Sequence, residues 1–372
     1  MSDLLRTRPA ATPAMLAVWS DAATIRHALA FEAALARAQG AQGVIAAAEA
    51  AAVEAACASI DIDSAALADE VAHAGTLAIP IVRRLRGLAE RAHHGATSQD
   101  LADSVCMLQV RAATALLGAD LDRIATALRP QAERHAGTAA LGRTLLQDAM
   151  AIPFGLRIAQ WRLGVADAAR RLSAEVEEHA ILQLGGPVGT ATELGGPAVA
   201  AQVAETLGLP PGLPWHARRT GVAGIASATG ILIGALGKMA RDVALLAQNG
   251  VAEAREPLVA GRGGSSAMAH KRNPAGAQVA LAAAHRAPGL VAGVLGGLPA
   301  ELERGLGGWQ AEGPMLADLF LLASGAAAAM AEVAEGLEVD AAAVGRNLAA
   351  AGMHSDVSAG HLLVSDLLAR GD

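Results

Sequence analysis

Side chains suited to catalysis gather in three short stretches of this 372-residue chain. Residues 263–277 read GGSSAMAHKRNPAGA, residues 93–100 read HHGATSQD, and residues 142–149 read GRTLLQDA. The first joins two hydroxyls (Ser265, Ser266), an imidazole (His270), two cations (Lys271, Arg272) and the amide of Asn273 to a pair of glycines. The second holds His93, Thr97, Ser98 and Gln99; the third holds Thr144 and Gln147. Free backbone N–H groups at glycine turns and helix starts, neutral hydroxyl and amide donors, and a few cations together suit an anionic ligand. The simplest such ligand is a polycarboxylate.

Each stretch also has a plainer use. Thr97, Ser98 and Asp100 are well placed to cap a helix that begins with LADSVCML. The adjacent pair His93–His94 could simply sit at the edge of the core. The glycines of GRGGSS lack the spacing of a phosphate-binding loop, and no CxxC or HExxH occurs anywhere, so no metal and no cofactor are expected. Trp161, Trp215 and Trp309 fit packing roles, and His354 and His361 fit the surface of a terminal helix.

The surrounding sequence dictates what must carry these stretches. Hydrophobic residues make up 53% and aromatics only 2%, with no tyrosine, so the core must be built from Ala, Leu, Val and Ile. Ala and Leu favour helix, and small side chains let helices approach closely. Helix-length apolar patterns run through 14–56, with Ser20 and Asp21 at an N-cap, through the forty residues after Thr97 with Pro130 inside, and through 154–183, 221–254 and from 275 onward. Helices of 30 to 40 residues far exceed the globular mean of about 11 to 12, and they imply a long-helix bundle. Because they are apolar on most sides, one chain offers too few partners to cover them, and an oligomer with pooled helices is expected. Glycines, prolines and the His285–Arg286 pair interrupt the longest apolar runs, so no membrane segment is expected. The opening MSDLLRTRPAATPAML lacks the apolar centre of a signal peptide. The net charge of −7 is spread without blocks, which argues against nucleic acid. Two widely separated cysteines, Cys57 and Cys106, fit free thiols in a reducing cytoplasm.

SSAMAHKRNP closely resembles the GSS-x-MP-x-K-x-NP signature of the fumarase/aspartase superfamily. HHGATSQDLADS and GRTLLQDAMAIPFG are similar to that family's first and second conserved regions, in family order. GATSQD, LPWHARR, GLGGWQAE and WSDAATIRHALAFEAALARAQ resemble its lactonising, cycloisomerase branch; the likeness spans roughly residues 13 to 335. It implies an all-α fold: an N-terminal helical domain over 1–95, a central long-helix bundle over 96–335, and a reduced C-terminal segment over 336–372. It also implies a homotetramer whose active sites are each shared among three subunits. By the same resemblance, Ser265 is the proton-transfer residue. His93 and Lys271 join it as catalytic groups, and Lys271 and Asn273 bind a substrate carboxylate. Thr97, Ser98, Gln99, Thr144, Gln147 and Ser266 complete the carboxylate-binding set, with Arg219 and Arg304 as further receptors. Two departures stand out: Leu145 where superfamily lyases carry histidine, and Ala269 in place of the signature proline. Leu145 weighs against a fumarate-releasing lyase of the adenylosuccinate type, the main alternative. A non-catalytic helical oligomer is the other.

Overall fold

A computed structural model describes residues 4–264, Met268 and residues 271–371. A short helix α1 (Leu4–Thr7) and a 3-10 turn (Arg8–Ala10) precede α2 (Pro13–Val18). Four helices follow: α3 (Asp21–Ala41), α4 (Ala47–Ser59), α5 (Ser64–Ala74) and α6 (Ala78–Arg86). The Ser20 hydroxyl accepts from the N–H of Ala23, the cap expected from sequence. Next come α7 (Ser98–Arg134), strands β1 (Ala139–Thr144) and β2 (Gln147–Pro153), α8 (Phe154–His179), α9 (Pro197–Leu207) and α10 (Thr220–Leu246). After β3 (Ala254–Arg255) the chain forms α11 (Ala275–Gly296), α12 (Gly308–Glu335), β4 (Glu338–Val339), α13 (Ala341–Ala350) and α14 (Ser358–Arg370).

The core is a bundle of α7, α8, α10, α11 and α12, each packed on at least two of the others. Its interior is Ala, Leu, Ile and Val, as the composition requires. Close approach is enforced where glycine faces backbone: a Cβ on Gly155 of α8 would lie 2.2 Å from the Ala132 carbonyl oxygen of α7. The tail expected as a reduced third unit is β4 and two helices: α13 lies on β1, and α14 lies on α8 and α7.

Two features differ from the sequence reading. The polar stretch 142–149 lies in a β-hairpin, with Ala139 opposite Pro153 and Thr144 opposite Gln147. Its two-residue turn is Leu145–Leu146, both with positive φ (52° and 64°). That conformation normally selects Asn-Gly, so no residue-level turn signal announces it. The second difference concerns α7, α10, α11 and α12, which by length and composition alone are long and apolar enough to cross a membrane. The expected interruptions do not break α11, which continues through His285–Arg286 and Pro288. The apolar windows of α10 and α12 are more than half buried against neighbouring helices, but only 22% of that of α11 is covered.

Candidate active site

The 37-residue α7 fixes where the three polar stretches can be. At 1.5 Å per residue it spans about 55 Å. Residues 93–100 lie at its start and the hairpin follows its end. The segment flanking residues 263–277 is tied to the hairpin end. The Glu253 carboxylate accepts two bonds from Arg143 of β1 (2.7 and 3.1 Å) and one from the Asn347 amide of α13 (2.8 Å). Three residues on, Glu256 accepts from the N–H groups of Gly276 and Ala277 at the start of α11 (2.8 and 2.6 Å). Within one chain, therefore, residues 93–100 stand apart from the hairpin and from the segment flanking 263–277.

At the first end, Thr97 has the extended backbone of an N-cap, and its N–H donates to the Asp100 carboxylate at 3.0 Å. Asp100 is fully buried and also accepts from the N–H groups of Gly185 and Gly186, both at 2.9 Å. The His216 Nε2 completes its shell at 2.9 Å. This carboxylate thereby fastens the start of α7 to the Gly/Pro-rich segment after α8 and to the connector before α10. Arg304 donates to the Thr97 hydroxyl at 2.6 Å and to the Pro187 carbonyl at 2.8 Å, so two of the expected receptors meet. Ser98 is half-buried in the first turn of α7.

His93 takes a left-handed backbone, φ 62°, and its Nδ1 sits 2.6 Å from the Glu32 carboxylate of α3. Burial alone would lower the imidazole pKa. The charge and hydrogen bond of Glu32, helped by Asp100 and opposed by Arg86, raise it above the ordinary histidine value.

Two residues expected to hold substrate are engaged internally. Arg219 is buried and forked between Asp103 (2.7 and 3.1 Å) and Glu312. Its guanidinium also lies over the Trp215 ring at 4.7 Å. Trp309 donates its indole N–H to the same Asp103 at 3.0 Å. Gln99 is fully buried, its amide donating to Asp103 and to the His216 carbonyl. Arg219 nonetheless borders a cavity that Asp103, Trp309 and Glu312 also line.

At the other end, Thr144 and Gln147 are exposed at the base of the hairpin turn. Leu145 and Leu146 project from its tip, 96% and 71% exposed. Lys271 is exposed and Asn273 half-buried. The Asn273 N–H donates to the Gly263 carbonyl at 2.8 Å, closing the base of the signature loop. Gly263 has φ 72°, and a Cβ there would lie 2.6 Å from the Asn273 oxygen, so only glycine fits. Ser265, Ser266 and His270 lie outside the described residues.

Sequence reading missed the residues that hold this framework: Glu32, Asp103, His216, Glu253 and Glu312. Glu32 carried a usable signal, as the lone acid in the apolar run HALAFEAALARA. Among the described residues no group of three or more His, Cys, Asp or Glu is arranged to hold a metal. Cys57 and Cys106 are free thiols, both pushed up to about 12, chiefly by burial.

Comparison with known proteins finds a family and relatives that match most of the chain. The family described as Lyase matches residues 7–289. A 3-carboxy-cis,cis-muconate cycloisomerase of Bradyrhizobium diazoefficiens is 46% identical over 346 residues, 90% of this chain and 77% of that protein. A nitrosuccinate lyase of Streptomyces davaonensis is 39% identical over 366 residues, 93% of this chain and 77% of that protein. The crystal structure of the 3-carboxy-cis,cis-muconate lactonizing enzyme from Pseudomonas putida superposes with a TM-score of 0.87 at 39% identity. It covers 99% of this chain and 88% of that one.

Proposed function

The chain belongs to the fumarase/aspartase superfamily of lyases, and from that premise we propose that it acts as a 3-carboxy-cis,cis-muconate cycloisomerase. It is an intramolecular lyase of aromatic breakdown, turning an open-chain tricarboxylate diene into a carboxylated γ-lactone. One substrate carboxylate adds to the conjugated double bond and forms the ring C–O bond. The electron pair displaced onto the carbon α to another carboxylate is delocalised there and then takes a proton. The near-half identity to a cycloisomerase across nine-tenths of the chain carries this reading.

The residue roles follow from that chemistry. Negative charge grows on the carboxylate bordering the protonated carbon, so cations and donors aimed there lower the barrier most. Lys271, exposed beside the signature loop, supplies a cation, and Asn273, Thr144 and Gln147 supply neutral donors. Ser265 delivers the proton, and Ser266 adds a donor. Thr97, Ser98, His93 and Arg304 hold the remaining carboxylates at the N-terminus of α7, where the helix dipole favours anions. A small-molecule polycarboxylate is the partner.

With His93 and Lys271 at opposite ends of a helix about 55 Å long, a complete site needs more than one chain. The uncovered apolar surface of α11 and the exposed leucines of the hairpin tip support a homotetramer in which three subunits build each site. The free thiols fit a cytoplasmic location.

The direct test is incubation with 3-carboxy-cis,cis-muconate. The diene absorbance should fall with formation of one lactone and no release of fumarate. Growth of fumarate absorbance from a succinyl adduct, with the muconate untouched, would instead favour the elimination chemistry suggested by the nitrosuccinate lyase relative. Lys271→Met should raise KM by about ten- to a hundredfold, the worth of one charge-assisted bond. Unchanged KM together with unchanged kcat would remove Lys271 from the site.

A further inference from the structure

Helix α3 is apolar along most of its length, yet two of its fully buried residues are polar: Glu32 and Gln39. Seven residues, or two turns, separate them, so they share one face. Both reach the same short segment. The Gln39 amide donates to the His94 carbonyl at 2.9 Å, and again to the Leu194 carbonyl at 3.3 Å. The Glu32 carboxylate meets His93 Nδ1 at 2.6 Å. His93 holds a left-handed backbone that residues other than glycine seldom adopt, and these two contacts secure it.

A carboxylate with no solvent exposure is stable only if something balances it. Glu32 touches one cationic group, the His93 imidazole, and its second oxygen has no hydrogen-bond partner among the described residues. The other ionisable groups facing this pair are Asp100 of α7, Arg86 of α6 and the Cys57 thiol of α4. Asp100 is already satisfied by four donors. Arg86 bonds the Ala92 carbonyl at 3.1 Å. Cys57 stays a neutral thiol, pushed up to about 12.

We infer that Glu32 is a positioning residue for the reaction: it fixes the His93 ring by Nδ1 and keeps it protonated, so that Nε2–H presents a fixed positive donor to a substrate carboxylate. The inference deepens the functional reading above and rests on its assignment of His93 to the site. The raised pKa of His93 agrees in direction, since an adjacent carboxylate favours the imidazolium. The charge is then lost as pH rises through the folded-state value, which lies above that of a free histidine. Activity and the stability linked to the pair should both decline on that alkaline side.

The experiment compares wild type with Glu32→Gln, Glu32→Asp and His93→Asn. Its readouts are kcat and KM against pH, with the His93 ring followed by NMR in histidine-labelled protein. In Glu32→Gln the His93 titration and the alkaline limb of kcat/KM should both move to lower pH. There kcat/KM should fall on the order of ten- to a hundredfold, mainly through KM, as for loss of a charge-assisted bond to a substrate carboxylate. Glu32→Asp, which keeps the charge and is the gentler change for folding, should restore part of both. An unmoved His93 titration or a wild-type profile in folded Glu32→Gln overturns the role of Glu32. Wild-type turnover by His93→Asn, with the titration still shifted in Glu32→Gln, overturns instead the placing of His93 in the site.

Discussion

Replacing Ser265 by alanine should lower kcat by about 10²- to 10⁴-fold, the range for loss of a positioned proton donor, while assembly and KM stay near wild type. The change deletes one hydroxyl from a loop whose base is fixed by other groups. Asn273 donates to the Gly263 carbonyl, and Glu256 holds the first N–H groups of α11. Those bonds are untouched, so loss of activity would report chemistry rather than collapse of the loop. A serine alone is a poor acid or base near neutral pH, because its ordinary pKa is far from the working range. Lys271, beside the loop, is the cation assigned to stabilise its alkoxide. Steady-state assay of 3-carboxy-cis,cis-muconate consumption, with gel filtration alongside, checks the outcome. Turnover within a few-fold of wild type would remove Ser265 from the mechanism.

The second large effect is on stability. Arg219→Met should destabilise the fold by about 3–5 kcal/mol, the usual penalty for removing one partner of a buried ion pair. Asp103 and Glu312 flank the guanidinium, and both are buried. Burial already raises the Glu312 pKa, against the pull of Arg219. Without the cation the Glu312 carboxyl should be pushed further up, so the folded variant binds more protons than the unfolded chain. Its stability therefore rises as pH falls, and the deficit should be smaller in mild acid than near neutrality. Denaturant unfolding at several pH values measures this. A variant as stable as wild type at neutral pH would show that the triad is not the buried charge centre described here.

How far the sequence revealed this molecule differs by element. The long helices were legible because Ala- and Leu-rich periodicity over dozens of residues admits little else, and Ser20 and Thr97 marked their starts. The hairpin was not legible. Its turn residues are Leu145 and Leu146, which give no left-handed signal, and the strands are held by Arg143 bonding Glu253, a residue 110 positions away. The polar stretches themselves stood out as anomalies in an apolar chain. Whether each member faces a ligand or its own core was not readable from spacing. Arg219 and Gln99 look like ligand groups in one dimension, and only the fold reveals Asp103 as a partner of both and Glu312 as a second partner of Arg219. Glu32 illustrates the converse: a lone acid on an apolar helix face, whose partner His93 lies 61 residues ahead.

The measurement that bears most directly on the shared-site reading is complementation between two inactive variants. Ser265→Ala disables one end of the bundle. His93→Asn disables the other, and asparagine tolerates the left-handed backbone there. Co-expressed with different tags and purified through both, random mixed tetramers should contain about one site in four built from two intact contributions, and should recover a corresponding share of wild-type lactonisation. Mixed tetramers no more active than either variant alone would mean that residues 93 and 265 of one chain serve the same site, and a site built across subunits would be wrong.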